Sequence, residues 1–113
     1  QGILTRFPEI DGVFAINDPT AIGADLAARQ LGRSEFVITA VDGAPDIESA
    51  LSSGTGLIKA SASQDPYAMA GQAMQMGYDF FMGNTPDEDT VLLEPQLITD
   101  QNVGEYQGWT AER

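Results

Sequence analysis

Gly12-Val13-Phe14-Ala15-Ile16-Asn17-Asp18-Pro19 is the stretch on which the fold turns. Residues 12–16 form a short apolar run of the kind expected for a strand covered on both faces. The run stops at two polar residues, and Pro19 can open a helix because its missing amide costs nothing in the first turn. Behind it, Ala21, Ile22, Leu26, Ala27 and Leu31 recur at helical spacing up to Gly32, where a helix stop is expected. Asp18 reads as the N-cap of this helix.

The pattern then returns twice. Residues 36–41 (Phe-Val-Ile-Thr-Ala-Val) read as a strand, followed by Asp42-Gly43-Ala44-Pro45 and a short helix through Ile47, Ala50 and Leu51 to Gly54. Residues 57–62 give a third, weaker strand, followed by Gln64-Asp65-Pro66, with Asp65 as a further cap. A long helix ensues with Met69, Ala70, Ala73, Met74, Gly77 and Phe81 on one face, its methionines read as adaptable core filler. Strands alternating with helices at this spacing predict an α/β fold: a parallel sheet, right-handed crossovers and helices on both faces. Residues 1–7 look like the last turns of a helix, so the chain reads as a trimmed piece of something longer. Residues 84–90 are a polar, acidic connection. Residues 91–93 and 96–99 are extended candidates broken by Pro95, which suits an edge or crossing strand. Residues 102–109 read as a short helix or turn.

Composition narrows the function. Of 113 residues, 5 are Lys or Arg and 17 are Asp or Glu, giving a formal net charge of −12. Such a chain repels a phosphate backbone and an anionic membrane surface, so neither nucleic acid nor membrane is expected as a partner. With no cysteine and no histidine there is no thiolate nucleophile, no disulfide, no His general base and no zinc site of the usual kind. Gly54-Thr55-Gly56 lacks the length and the lysine of a phosphate loop. Asp87, Glu88 and Asp89 read as a solvated acidic turn and not as a calcium loop. No cofactor, no metal and no enzymatic activity are expected.

In an open parallel sheet, ligands gather beyond the carboxyl ends of the strands. Asn17, Asp42 and Gln64 hold that position, 25 and 22 residues apart, about one strand-plus-helix unit each. Amides both give and take hydrogen bonds, and an ionised carboxylate accepts from two hydroxyls at once. The set suits a neutral polyol such as a sugar, and does not suit a phosphate, which would want Arg, Lys or a glycine nest. Each residue taken singly is equally at home as a turn former or cap. Trp109 could stack on a sugar, but near the end of the chain it reads as cover for apolar surface.

Residues 14–18 (Phe-Ala-Ile-Asn-Asp) with 21–24 (Ala-Ile-Gly-Ala), then Val41-Asp42-Gly43 with Pro45-Asp46, then Gln64-Asp65-Pro66 with Gly71, resemble the ribose-binding-protein-like family. Residues 96–99, Asn102, Val103 and Tyr106 are similar to that family's last strand and tail. These are periplasmic sugar-binding proteins of ABC importers, type I periplasmic binding proteins with two lobes closing on a sugar. The resemblance implies that residues 1–113 are a partial C-terminal lobe, with 84–99 as the crossing segment and 100–113 as the tail. It implies Asn17, Asp42 and Gln64 as the monosaccharide contacts, a periplasmic location, and an ABC permease and the N-terminal lobe as partners. Alone, the chain is expected to bind sugar weakly or not at all. The rival reading is the effector-binding domain of a LacI-type repressor. Those regulators usually carry Gly-Phe-Asp where this chain has Ala40-Val41-Asp42, which favours transport.

Overall fold

A computed structural model describes residues 1–85, 87–88 and 90–112. Pro86 and Asp89 of the acidic turn, and Arg113, lie outside the described residues. The order is α1 (Gly2–Arg6), β1 (Gly12–Phe14), α2 (Asp18–Gln30), β2 (Val37–Asp42), α3 (Pro45–Ser53), β3 (Ile58–Ser63), α4 (Pro66–Phe81), β4 (Gln96–Thr99) and a 3-10 turn at Val103–Glu105. The strands lie side by side as β1-β2-β3-β4, the first three parallel and β4 antiparallel to β3. The expected α/β architecture and mainly parallel sheet are therefore present.

Local chemistry explains the boundaries. Proline occupies the first or second position of α2, α3 and α4, where no amide is required. Helix α3 stops at Gly54, whose φ of 63° is a left-handed cap that glycine adopts without steric cost. Helix α1 is a single short turn whose end is tied down from a distance. Arg33 donates to the carbonyls of Leu4 at 2.6 Å and Phe7 at 3.0 Å, and also pairs with Glu35. That guanidinium holds the Glu35 carboxyl down to about 2.

The core lies between one face of the sheet and helices α2 and α3. Register places Ala40, Ser61 and Ile98 in one cross-strand row, and all three are buried. Ile38, Ile58, Ala21, Ala28, Ile47 and Leu51 belong to the same cluster. The other face carries the alternate residues, as a period of two requires. There Phe14, Val37 and Leu97 are exposed. The Cα trace is only 16 Å deep along its shortest axis, room for the sheet and one helix layer spaced about 8–10 Å apart.

Helix α4 departs from expectation. It has no buried residue, and Met69, Met74 and Phe81 of its apolar stripe are exposed. Periodicity identifies the apolar side, but the described residues leave it largely exposed, with only the 90–95 segment lying beside Met69 and Ala73. The short β1 ends at Phe14, although the amide of Ala15 still donates to Thr39 at 2.8 Å. Residues 91–93 form no strand.

This division of the apolar residues is measurable. Ile38→Ala should cost about 2–5 kcal/mol because it hollows a packed core. Met74→Ala should stay within about 0.5 kcal/mol, as for other exposed positions. Urea midpoints of the two variants check the pair, and comparable losses would contradict the arrangement.

Candidate functional site

The carboxyl ends of β1, β2 and β3 bring Asn17, Asp42 and Gln64 to one rim. Asp42 and Gln64 meet directly. The side-chain amide of Gln64 donates to Asp42 Oδ1 at 3.0 Å, and its backbone N–H donates to the Asp42 carbonyl at 2.8 Å. Asp42 Oδ2 faces the backbone amide of Asp18 at 3.4 Å. The Asn17 side chain is directed elsewhere: its Oδ1 accepts from the Thr20 amide at 3.0 Å and the Thr20 hydroxyl at 2.6 Å. The Asn17–Asp18 peptide, and not the Asn17 side chain, is what approaches Asp42.

Asn17, in extended backbone, is thus the N-cap of α2, and the expected capping role of Asp18 is corrected. Asp18 is the first helical residue, and its side chain turns inward to 1% exposure. Its Oδ1 accepts from the Ser61 hydroxyl of β3 at 2.7 Å, and its Oδ2 from the Ala44 amide after β2 at 2.8 Å. One carboxylate therefore links all three strand ends. Burial pushes its pKa above the usual 3.8, assisted by the negative charge of Asp42, while the Ala44 amide and Ser61 hydroxyl pull it back. Asp65 behaves as expected, capping α4 through the Ala68 amide at 3.0 Å.

The backbone at Asp42 is unusual. Its φ is 134°, and that of Gly43 is 77°. A non-glycine residue there is strained, and such strain collects at working sites. The two positive angles come just before Ala44, whose amide reaches Asp18. Gly43 admits no side chain, because a Cβ would lie 2.5 Å from both Ser63 Cβ and the Tyr106 hydroxyl oxygen.

Two residues escaped the reading of the sequence as site neighbours. The Tyr106 hydroxyl donates to the Gly43 carbonyl at 3.0 Å, and the Trp109 indole N–H donates to the Gln64 carbonyl at 3.1 Å. Burial raises the Tyr106 pKa. No local signal marks either contact, since the partners lie 63 and 45 residues away. Gln64 also borders two hollows of about 360 and 210 Å³, lined by residues of α4, the 91–96 segment and Tyr106, and not by Asn17 or Asp42. Among the described residues, no cluster of three His, Cys, Asp or Glu could hold a metal. What the rim offers is one carboxylate acceptor and amides able to give and take hydrogen bonds, a chemistry matched to hydroxyl groups.

Residues 1–85 match the family model described as a periplasmic binding protein domain. The chain belongs to the periplasmic binding protein family. It is 31% identical over 104 residues to the D-apiose import binding protein of Actinobacillus succinogenes, covering 91% of this chain and 33% of that protein. Over 54 residues it is 41% identical to the ribose import binding protein of Escherichia coli, covering 48% of this chain and 18% of the relative. Among solved structures, the Caulobacter myo-inositol binding protein bound to myo-inositol superposes with a TM-score of 0.79 at 26% identity. That match covers 92% of this chain and 36% of the other. The matched stretch spans about a third of the length of the D-apiose import binding protein.

The buried carboxylate gives this periplasmic-binding-protein rim a pH signature. Asp18→Asn keeps one acceptor but turns a donor toward Ala44 or Ser61, and should cost about 1–3 kcal/mol of stability at neutral pH. Because the native pKa is raised, the folded state takes up the proton more readily than the unfolded chain. The proton-linked part of the Asp18 contribution is then fully present below the unfolded value and is lost as pH rises through the native one, leaving the hydrogen-bond part at neutral pH. The penalty of Asp18→Asn, from urea midpoints, should be larger below pH 3.8 than at neutral pH. An equal or smaller penalty in acid would refute the burial argument.

Proposed function

We propose that the chain is part of the solute-binding component of an ABC sugar importer. It acts in the periplasm, captures a monosaccharide and presents it to a membrane permease. Asp42 accepts hydrogen bonds from sugar hydroxyls, Gln64 both donates and accepts, and Asn17 contributes its amide nitrogen, its oxygen being occupied by Thr20. The observation that carries the reading is the contact between Gln64 and Asp42 at the carboxyl edge of the sheet, in a member of this family. In the free state each satisfies the other, and a bound hydroxyl would take the place of one partner.

The import proteins named above support transport over the LacI-type regulator reading. They also support a binding role over an enzymatic one. The proposal includes a second lobe of the same protein on the far side of the sugar. The exposed Phe14, Val37 and Leu97 on the second sheet face, and the exposed stripe of α4, are consistent with further structure packing there.

A chimera tests this directly. This chain replaces the matching third of the Actinobacillus succinogenes D-apiose import binding protein, and calorimetry measures D-apiose, D-ribose and myo-inositol. At least one should bind, and the isolated chain should bind none measurably. Asp42→Ala in the chimera removes a charge-assisted acceptor and should weaken binding by about 10–150-fold. Undiminished affinity in that variant would remove Asp42 from the site.

A further inference from the structure

Beyond the three rim residues, the segment after β4 reaches back across the sheet to touch two of their loops. Each contact is made by an aromatic side chain with a polar tip: Tyr106 to the carbonyl of Gly43, and Trp109 to the carbonyl of Gln64. We propose that Tyr106 and Trp109 form a clasp that sets the relative placement of Asp42 and Gln64, which makes them positioning residues of the candidate site. This rests on the reading of Asp42 and Gln64 as ligand contacts.

Four observations carry it. First, both donors address main-chain carbonyls at or beside the candidate residues, so they fix the loops and leave the side chains of Asp42 and Gln64 available. Second, the clasp holds a place that needs holding. Asp42 has a φ of 134°, a conformation that persists only where the surroundings impose it. Third, the fit at Gly43 is tight, with no space for a Cβ between Ser63 and the Tyr106 hydroxyl. The tyrosine therefore meets the turn as a stop as well as a hydrogen-bond donor. Fourth, the clasp is anchored to the body of the fold. Val103 is buried, and Gly108 packs so closely on the Glu48 carboxylate of α3 that a side chain there would collide with it.

An aromatic that merely covers apolar surface needs its ring and not its polar tip, which separates the two roles. Tyr106→Phe and Trp109→Phe keep aromatic rings and remove the donors. Amide hydrogen exchange in the intact chain reads the junction through the Gln64 N–H, which is bonded to the Asp42 carbonyl. The Ile38 N–H, bonded to the Leu57 carbonyl, serves as the core control. Each variant should speed exchange at Gln64 by about fivefold, the scale of one lost hydrogen bond, and leave Ile38 unchanged. Unchanged exchange at Gln64, or equal acceleration at both amides, overturns the clasp. In the chimera, the same variants should weaken the best-bound of the three sugars by about five- to tenfold. If the variants bind it as tightly as the parent chimera, positioning is again overturned. A parent chimera that binds none of the three sugars overturns the transport reading instead, and the exchange experiment still decides the clasp.

Discussion

A single buried carboxylate organises the carboxyl edge of the sheet. Asp18 sits at the start of α2, yet its two oxygens are taken by Ser61 on β3 and by the amide of Ala44 after β2. Leaving a charge uncompensated inside a fold is far costlier than any single contact is worth, so these donors must be supplied together. Supplying them brings three strand ends, far apart in sequence, into one arrangement. The same helix start presents the Asp18 amide to Asp42. The site geometry is thus a consequence of satisfying one buried group.

The rest of the fold is built on one side. Helices α2 and α3 cover a sheet face whose rows are small and aliphatic. The opposite face and the stripe of α4 keep their apolar residues in the open. A chain of charge −12 has ample polar surface elsewhere, so this exposure is not for want of polar residues. It is concentrated where a further layer of an α/β fold would lie. The polar rim, by contrast, lies at the carboxyl ends of β1, β2 and β3, where the segment after β4 also reaches.

The sequence made the architecture legible because strand, polar break, proline and helix recur in register with the real elements. The proline-started helices and the left-handed stop at Gly54 follow from local sterics, which a sequence carries in full. The meeting of Asp42 and Gln64 was legible for a different reason: neighbouring parallel strands must end on the same edge. The exposure of α4 was not, since a periodic stripe tells which side is apolar and not what covers it. The role of Asp18 was hidden because an aspartate before proline has a common local use. The partner that displaces that use, Ser61, lies 43 residues away. The same distance problem concealed Tyr106 and Trp109, whose targets are backbone carbonyls and carry no side-chain signature.

A rim of this kind sets a limit on what it can bind by itself. Each hydrogen bond to a sugar replaces one to water, so its net worth is about 0.5–1.5 kcal/mol, or about 1.5–3 kcal/mol at the Asp42 carboxylate. Three such residues supply only a few kcal/mol, against about 4–15 kcal/mol of lost translational and rotational freedom on association. Preorganisation of the rim by Asp18 and the clasp reduces the ordering cost but does not remove the deficit. Tight capture therefore requires a second surface that closes on the opposite side of the ligand, adding contacts and displacing water. A ligand that touches both surfaces stabilises only the closed arrangement, so binding and closure become one equilibrium. Under the proposed function, the part assigned to the rim described here is direction and selectivity for hydroxyls, and the part assigned to the closing of the pair is affinity.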